Sequence, residues 1–139
     1  MEPTVYLNFN GNCLEAMTHY ANVLGGEVTG VFLNKDGPAD SRMPGGDNLV
    51  MNMAVKIGAT IMMASDAPGE WYAKPQGFSV NVSPKTMAEA ERVFAELSKD
   101  AEKVQMPLGE TFWADAFAMF TDKYGTPWMI NFAGSKMPG

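Results

Sequence analysis

Apolar and polar positions alternate along Thr4–Asn10, with Leu7 and Phe9 on one face and Tyr6 and Asn8 on the other, the period of a half-buried strand. Asn10-Gly11-Asn12 breaks that pattern and offers a helix N-cap. The period then changes. Leu14, Met17, Ala21 and Leu24 recur at spacings of three and four, predicting a helix over Cys13–Leu24 with this stripe inward. Gly25-Gly26 ends it. Glu27–Leu33 reads as a strand. Asn34–Asn48 holds Gly37, Pro38, Pro44, Gly45 and Gly46 with three aspartates, and reads as a long mobile loop, either a lid or plain disorder. Two further strands are expected over Leu49–Ile57 and Ala59–Ser65. A second loop, Ala67–Gln76, carries Pro68, Trp71, Tyr72 and Pro75.

The order then repeats. Gly77–Val82 reads as a strand and Ser83-Pro84 as a turn. A helix follows from Thr86 to Lys99, with Thr86 and Glu89 spaced as a capping box. Strands are expected over Lys103–Leu108, Trp113–Thr121 and Trp128–Phe132. The two halves also rhyme in sequence. Leu7-Asn8-Phe9-Asn10 answers to Val80-Asn81-Val82-Ser83, and Gly58-Ala59-Thr60-Ile61-Met62-Met63 to Gly125-Thr126-Pro127-Trp128-Met129-Ile130. Self-similarity at this scale points to a duplicated βαβββ module and an α+β protein with mixed sheet.

Composition narrows the partners. The 139 residues are 46% hydrophobic, enough for one sizeable core. A net charge of −6 argues against a nucleic-acid backbone or an anionic membrane surface, both of which need clustered Lys and Arg. No apolar run approaches the ~20 residues of a membrane helix. The first residues lack the pattern of a secretory signal, and the single cysteine, Cys13, allows no intrachain disulfide. A cytoplasmic protein is the expectation.

Several stretches carry a resemblance: Tyr6-Leu7-Asn8-Phe9-Asn10-Gly11-Asn12-Cys13, Leu24-Gly25-Gly26-Glu27, Met63-Ala64-Ser65-Asp66, Gln105-Met106-Pro107-Leu108, Thr111-Phe112-Trp113-Ala114-Asp115-Ala116-Phe117 and Met119-Phe120-Thr121-Asp122-Lys123-Tyr124-Gly125-Thr126-Pro127-Trp128-Met129-Ile130-Asn131. With them the chain resembles the PhnB-like branch of the vicinal oxygen chelate superfamily, the glyoxalase, bleomycin resistance and dioxygenase fold. The resemblance implies a single domain over 1–139, with module one at about 1–66 and module two at about 77–133. It implies half-cups of mixed sheet paired around a central cavity, helices on the outer face, and a homodimer. Some members bear a ubiquinone-pathway methyltransferase label. No glycine-rich turn of the kind a nucleotide-containing cofactor needs supports that label here.

Metal-dependent members hold a divalent ion with His, Glu or Gln from four strands, and the ion stabilises an anion on a chelated substrate. The resemblance carries those four places to Thr4, Met62, Gly77 and Met129. None is a usual ligand, and among their neighbours only Gln76 can coordinate. The lone histidine, His19, falls mid-helix. The expectation is therefore no metal and no cofactor, with doubt cast on every metal-dependent activity of the superfamily.

The candidate ligand-binding residues are Tyr6, Asn8, Met62, Ser79, Asn81, Trp113, Asp115, Phe117 and Met129. Twelve methionines suit an adaptable apolar wall as well as ordinary core filling. Trp113, Asp115, Phe117 and Met119 share a strand face. A carboxylate there either has a raised pKa or meets a cation or hydrogen-bond donor, so Asp115 either orients a ligand or braces the backbone. Asn8 and Asn81 need hydrogen-bond partners, in the protein, in water or in a ligand. No nucleophile stands out, and Cys13 at a helix start reads as inert. The leading reading is a metal-free binding protein for a small organic molecule. The rivals are a metal-dependent lyase or dioxygenase with atypical ligands, Gln76 or Asp66 among them, and a plain dimerisation module.

Overall fold

The first alternating stretch forms β1 (Tyr6–Phe9), in which Leu7 and Phe9 are buried while Tyr6 and Asn8 face out. In the computed structural model, which describes residues 1–136, the chain divides into two compact units between Ala73 and Lys74. Each unit has the predicted βαβββ order.

In the first unit, α1 (Cys13–Leu24) takes the predicted range, and Gly25 ends it in the left-handed conformation at φ 71°. Gly26 then passes so close to the next hairpin that a Cβ would collide with the Lys56 carbonyl oxygen. The buried face of α1 is Cys13, Ala16, Met17, Tyr20, Ala21 and Val23, with Leu14 44% exposed at its edge. The expected stripe is corrected by Tyr20, which is fully buried and packs at 6.4 Å from Phe9. Burying that ring rotates the helix away from Leu14.

The remaining strands are β2 (Glu27–Leu33), β3 (Val50–Ile57) and β4 (Thr60–Asp66), in the order β1-β4-β3-β2. The β1–β4 pair is parallel and the others antiparallel. Alternation then divides the sheet. Leu7, Phe9, Met53, Val55, Met62, Ala64 and Asp66 are buried on the side that α1 covers; Tyr6, Asn8, Asn52, Ile61, Met63 and Ser65 lie on the open side.

The Asn34–Asn48 segment is not the plain loop its composition suggests. It holds two short 3₁₀ turns, Asn34–Asp36 and Ala39–Ser41, and closes around a buried Asn34. The Asn34 amide donates to the carbonyls of Met43 and Gly46, each at 2.8 Å, and accepts the Met43 N–H at 2.9 Å.

The second unit contains β5 (Val80–Val82), α2 (Met87–Leu97), β6 (Lys103–Gly109), β7 (Ala116–Thr121) and β8 (Pro127–Phe132), with sheet order β5-β8-β7-β6. Thr86 caps α2 by accepting the Glu89 N–H at 3.1 Å. Glu89 reaches back to the Lys85 N–H rather than to that of Thr86, so the box closes one residue early. Ala90, Val93 and Leu97 face the sheet, and Phe94 meets Phe120 edge-on at 5.5 Å.

Strand β7 begins three residues later than expected. Thr111 is the cause: its hydroxyl accepts the N–H groups of Trp113 and Ala114, and its own N–H bonds to the Ala114 carbonyl. That turn takes Trp113 out of the strand. Ala116, Ala118 and Phe120 pair with Phe132, Ile130 and Trp128 on the helix side; Phe117, Met119 and Thr121 pair with Asn131, Met129 and Pro127 on the open side.

Candidate functional site

The open side of the second sheet forms a groove of about 530 Å³, lined by Pro75, Gln76, Gly77, Phe78, Ser79, Gln105, Met119, Thr121, Pro127 and Met129. Strand alternation delivers its floor, since Met119 pairs with Met129 and Thr121 with Pro127. Thioethers and proline rings make the wall apolar and adaptable. The polar groups are neutral hydroxyls and amides. Gln105 Nε2 donates to Thr121 Oγ1 at 3.2 Å, and the Thr121 proton and the Gln105 carbonyl oxygen retain hydrogen-bonding capacity. Among the described residues, no ionisable side chain lines the groove.

Of the residues expected from sequence, Ser79 and Met129 line this groove. Asn81 pairs with Met129 on the same open side and donates to Ser83 Oγ at 3.3 Å. Phe117 is buried there and meets Trp113 at 5.1 Å, and Trp113 in turn meets Phe112 at 4.9 Å. In the first unit, Tyr6 and Asn8 sit on the open side. Tyr6 Oη accepts from Asn52 Nδ2 at 3.2 Å and Asn8 Oδ1 accepts from Ser65 Oγ at 3.3 Å, so the Tyr6 hydroxyl proton and the Asn8 amide remain as donors.

Met62 is placed otherwise. It is 5% exposed, on the side of its sheet that α1 covers, and belongs to the core of the first unit. The expected equivalence of Met62 with Met129 fails in face, because Met129 lies on the open side of its sheet. The turns explain the slip. Ile57 pairs with Thr60 across two residues, whereas Thr121 pairs with Pro127 across five. The longer turn is built by Asp122, whose carboxylate accepts the N–H groups of Tyr124 and Thr126 and the Trp128 indole N–H, each at 2.9 Å. The two hairpins thus present opposite faces at matching glycines.

Asp115 lies outside β7, held against the end of β8 and the segment that follows it by Phe132, Ala133 and Ser135. Ser135 gives it both its backbone N–H and its hydroxyl at 2.8 Å, and these bonds, with Lys136 nearby, hold the carboxyl below its ordinary range. The carboxylate thus meets hydrogen-bond donors, one of the two outcomes expected for it, and its pKa is lowered. Gln105, Thr121, Phe78 and Pro127 were not singled out by the sequence reading. Thr121 was reachable, since it continues the alternation of Phe117 and Met119. Gln105 was not, because β6 shifts register twice against β7.

The four places the resemblance carries over for a metal do not make a donor set. Met62 is in the core, Met129 offers a thioether, Gly77 has no side chain, and Thr4 precedes β1. Among the described residues no three of His, Cys, Asp and Glu gather at one point. Asp66 is also engaged. Its Oδ1 accepts the N–H groups of Gly11 and Cys13 at 2.9 and 3.1 Å, and its Oδ2 that of Val50 at 2.9 Å. Two of these bonds occupy the Gly11 and Cys13 amides of the β1–α1 turn, which are then not open to an anion. Cys13 is fully buried, and burial with the Asp66 charge pushes its thiol far above the ordinary range. His19 is half-buried in α1 beside Tyr20.

This architecture is that of the glyoxalase and bleomycin resistance fold. A domain from Frankia sp. EAN1pec described as glyoxylase/bleomycin resistance protein/dioxygenase superposes with a TM-score of 0.61 at 12% identity, covering 96% of this chain and 97% of that one. Within the fold, the family described as 3-demethylubiquinone-9 3-methyltransferase matches residues 2–131, and the chain belongs to that family, on its PhnB-like branch. It is 33% identical to protein YjdN of Escherichia coli K12, over 91% of each chain. It is similar to protein PA1353 of Pseudomonas aeruginosa, with 38% identity, a TM-score of 0.83 and coverage of 95% and 97%. A Bacillus cereus structure described as a putative 3-demethylubiquinone-9 3-methyltransferase, PhnB protein, gives 26% identity, a TM-score of 0.80 and coverage of 96% and 100%.

Proposed function

We propose that this chain is a metal-free binding protein for a small, uncharged organic molecule, acting as a cytoplasmic homodimer, with the groove of the second sheet as its site. The observation that carries this reading is the uncharged lining of that groove. A buried charge on a ligand needs an opposite charge or several hydrogen bonds to offset its desolvation. Methionine, phenylalanine and proline walls with Gln76, Ser79, Gln105 and Thr121 provide apolar contact and neutral hydrogen bonds instead. Among the described residues, no helix is long and apolar enough to cross a membrane. The three backbone N–H groups that the two Asp66 oxygens already take favour this reading over the rival metalloenzyme with Asp66 as a ligand. The family description names a methyl transfer, and the closed β1–α1 turn gives no support for deriving that step here.

Two measurements on the purified protein test the proposal. Calorimetric titration with Ni²⁺, Zn²⁺, Mn²⁺ and Fe²⁺ is expected to show no site tighter than about millimolar (~4 kcal/mol). A thermal-shift screen of matched neutral, anionic and cationic aromatic compounds is expected to select neutral binders that Met119→Lys abolishes. One metal per chain at micromolar affinity would return the protein to the metalloenzymes. Hits confined to charged compounds would remove the groove from the argument.

A further inference from the structure

We infer that a second pocket, on the first unit, to which Glu70 and Trp71 both contribute, binds a small organic cation. It is an open depression of about 310 Å³ lined by Pro44, Gly45, Pro68, Gly69, Glu70 and Trp71. That is near the lower end of volumes that hold a small ligand. It does not depend on the groove of the second sheet, since every lining residue belongs to the first unit.

The walls are held in place before any ligand arrives. On one side, Asn34 uses its whole amide to bracket Pro44 and Gly45, bonding Met43 before them and Gly46 after them. Gly45 has φ 122°, a backbone conformation that favours glycine, and a Cβ there would stand at ordinary contact distance from Pro68 Cγ, 3.6 Å, while displacing the tip of Leu49. On the other side, Asn10 Oδ1 accepts the Gly69 N–H at 3.1 Å, and the turn closes through Trp71 N–H to the Pro68 carbonyl and Tyr72 N–H to that of Gly69.

The chemistry of the lining selects the occupant. Glu70 is the one ionisable group in it, and among the described residues it makes no ion pair or hydrogen bond. The guanidinium of Arg42, close to Pro44 in sequence, bonds the carbonyls of Gly37 and Lys35 and pairs with Asp47. Trp71 is 56% exposed, and its indole is the side chain best suited to a cation over its face. An anion would meet the Glu70 charge within a chain of net charge −6. A neutral apolar ligand would strip water from the carboxylate without replacing it. A metal ion would find a single carboxylate, because no three-residue donor cluster exists among the described residues. An organic cation offers apolar groups to the prolines and tryptophan together with charge for Glu70.

Tetramethylammonium is the probe, and the Trp71 indole ¹⁵N–H resonance, assigned with Trp71→Phe, is the readout. This separates the site from Trp113 and Trp128. Saturable shifts are expected, with affinity lowered about fivefold by Glu70→Gln and, read at the Gly69 backbone amide of the same turn, lost in Trp71→Leu. Both side chains are exposed, so unchanged thermal melts establish that the variants fold. A neutral isostere, neopentane carrying one hydroxyl, is expected to bind at least about fivefold more weakly. Equal binding of the isostere, an unchanged affinity in Glu70→Gln, or shifts reproduced by sodium chloride alone would each overturn the assignment.

Discussion

Asp115 shows how a residue whose type suggests chemistry can be settled by its immediate donors. It was the most prominent carboxylate of the aromatic stretch before β7, and Ser135 now takes up both its oxygens. Those bonds lower its pKa from the ordinary 3.8. A group whose folded pKa is lowered contributes stability that is complete above its unfolded value and disappears as pH falls through the folded value. The contribution should therefore be present at neutral pH and fade below 3.8. Asp115→Asn is expected to melt below the parent protein at neutral pH, with the difference shrinking as pH falls below 3.8. A difference that persists unchanged in acid would mean that the charge of Asp115 has no part in holding the Ser135 turn. Because solvent reaches this carboxylate, the effect should be modest and should diminish with salt.

Among elements, Asp66 has the wider reach, because one carboxylate ties the end of β4 to the start of α1 and to β3. Asp66→Asn replaces one acceptor oxygen with a donor that opposes a backbone N–H. A loss of about 3 kcal/mol is expected, read as a lower urea midpoint at unchanged slope. A loss below about 1 kcal/mol would show that water can replace the carboxylate at these amides. The sequence made α1 itself plain, since Asn10-Gly11-Asn12 and Gly25-Gly26 punctuate it at both ends. Its partner at the N-terminus was not visible, because Asp66 lies 53 residues away from Cys13. The face of Met62 was hidden for a related reason. Strand parity depends on turn length, and the length of the β7–β8 turn is set by the bonds of Asp122, which a match between glycines does not reveal. What could be read was local period; what could not was any contact closed by a distant polar side chain.

For the whole molecule, the balance of charge separates the two candidate sites. The chain carries a net charge of −6, yet the groove of the second sheet has no ionisable lining, while the pocket of the first unit has Glu70. A neutral ligand in the groove neither pairs with a charge nor senses the surrounding field, so salt should leave it alone. Its affinity is expected to change by less than about twofold between 50 and 500 mM sodium chloride, a range over which the Debye length falls from about 14 to about 4 Å. An anionic analogue of the same shape should be weakest at low salt, where the net charge repels it, and should improve as salt rises. Paired calorimetric titrations of the two compounds would decide the matter. If the neutral binder weakened several-fold with salt, an ionic group that the groove does not contain would be holding it, and the site would have to be sought on another face of the protein.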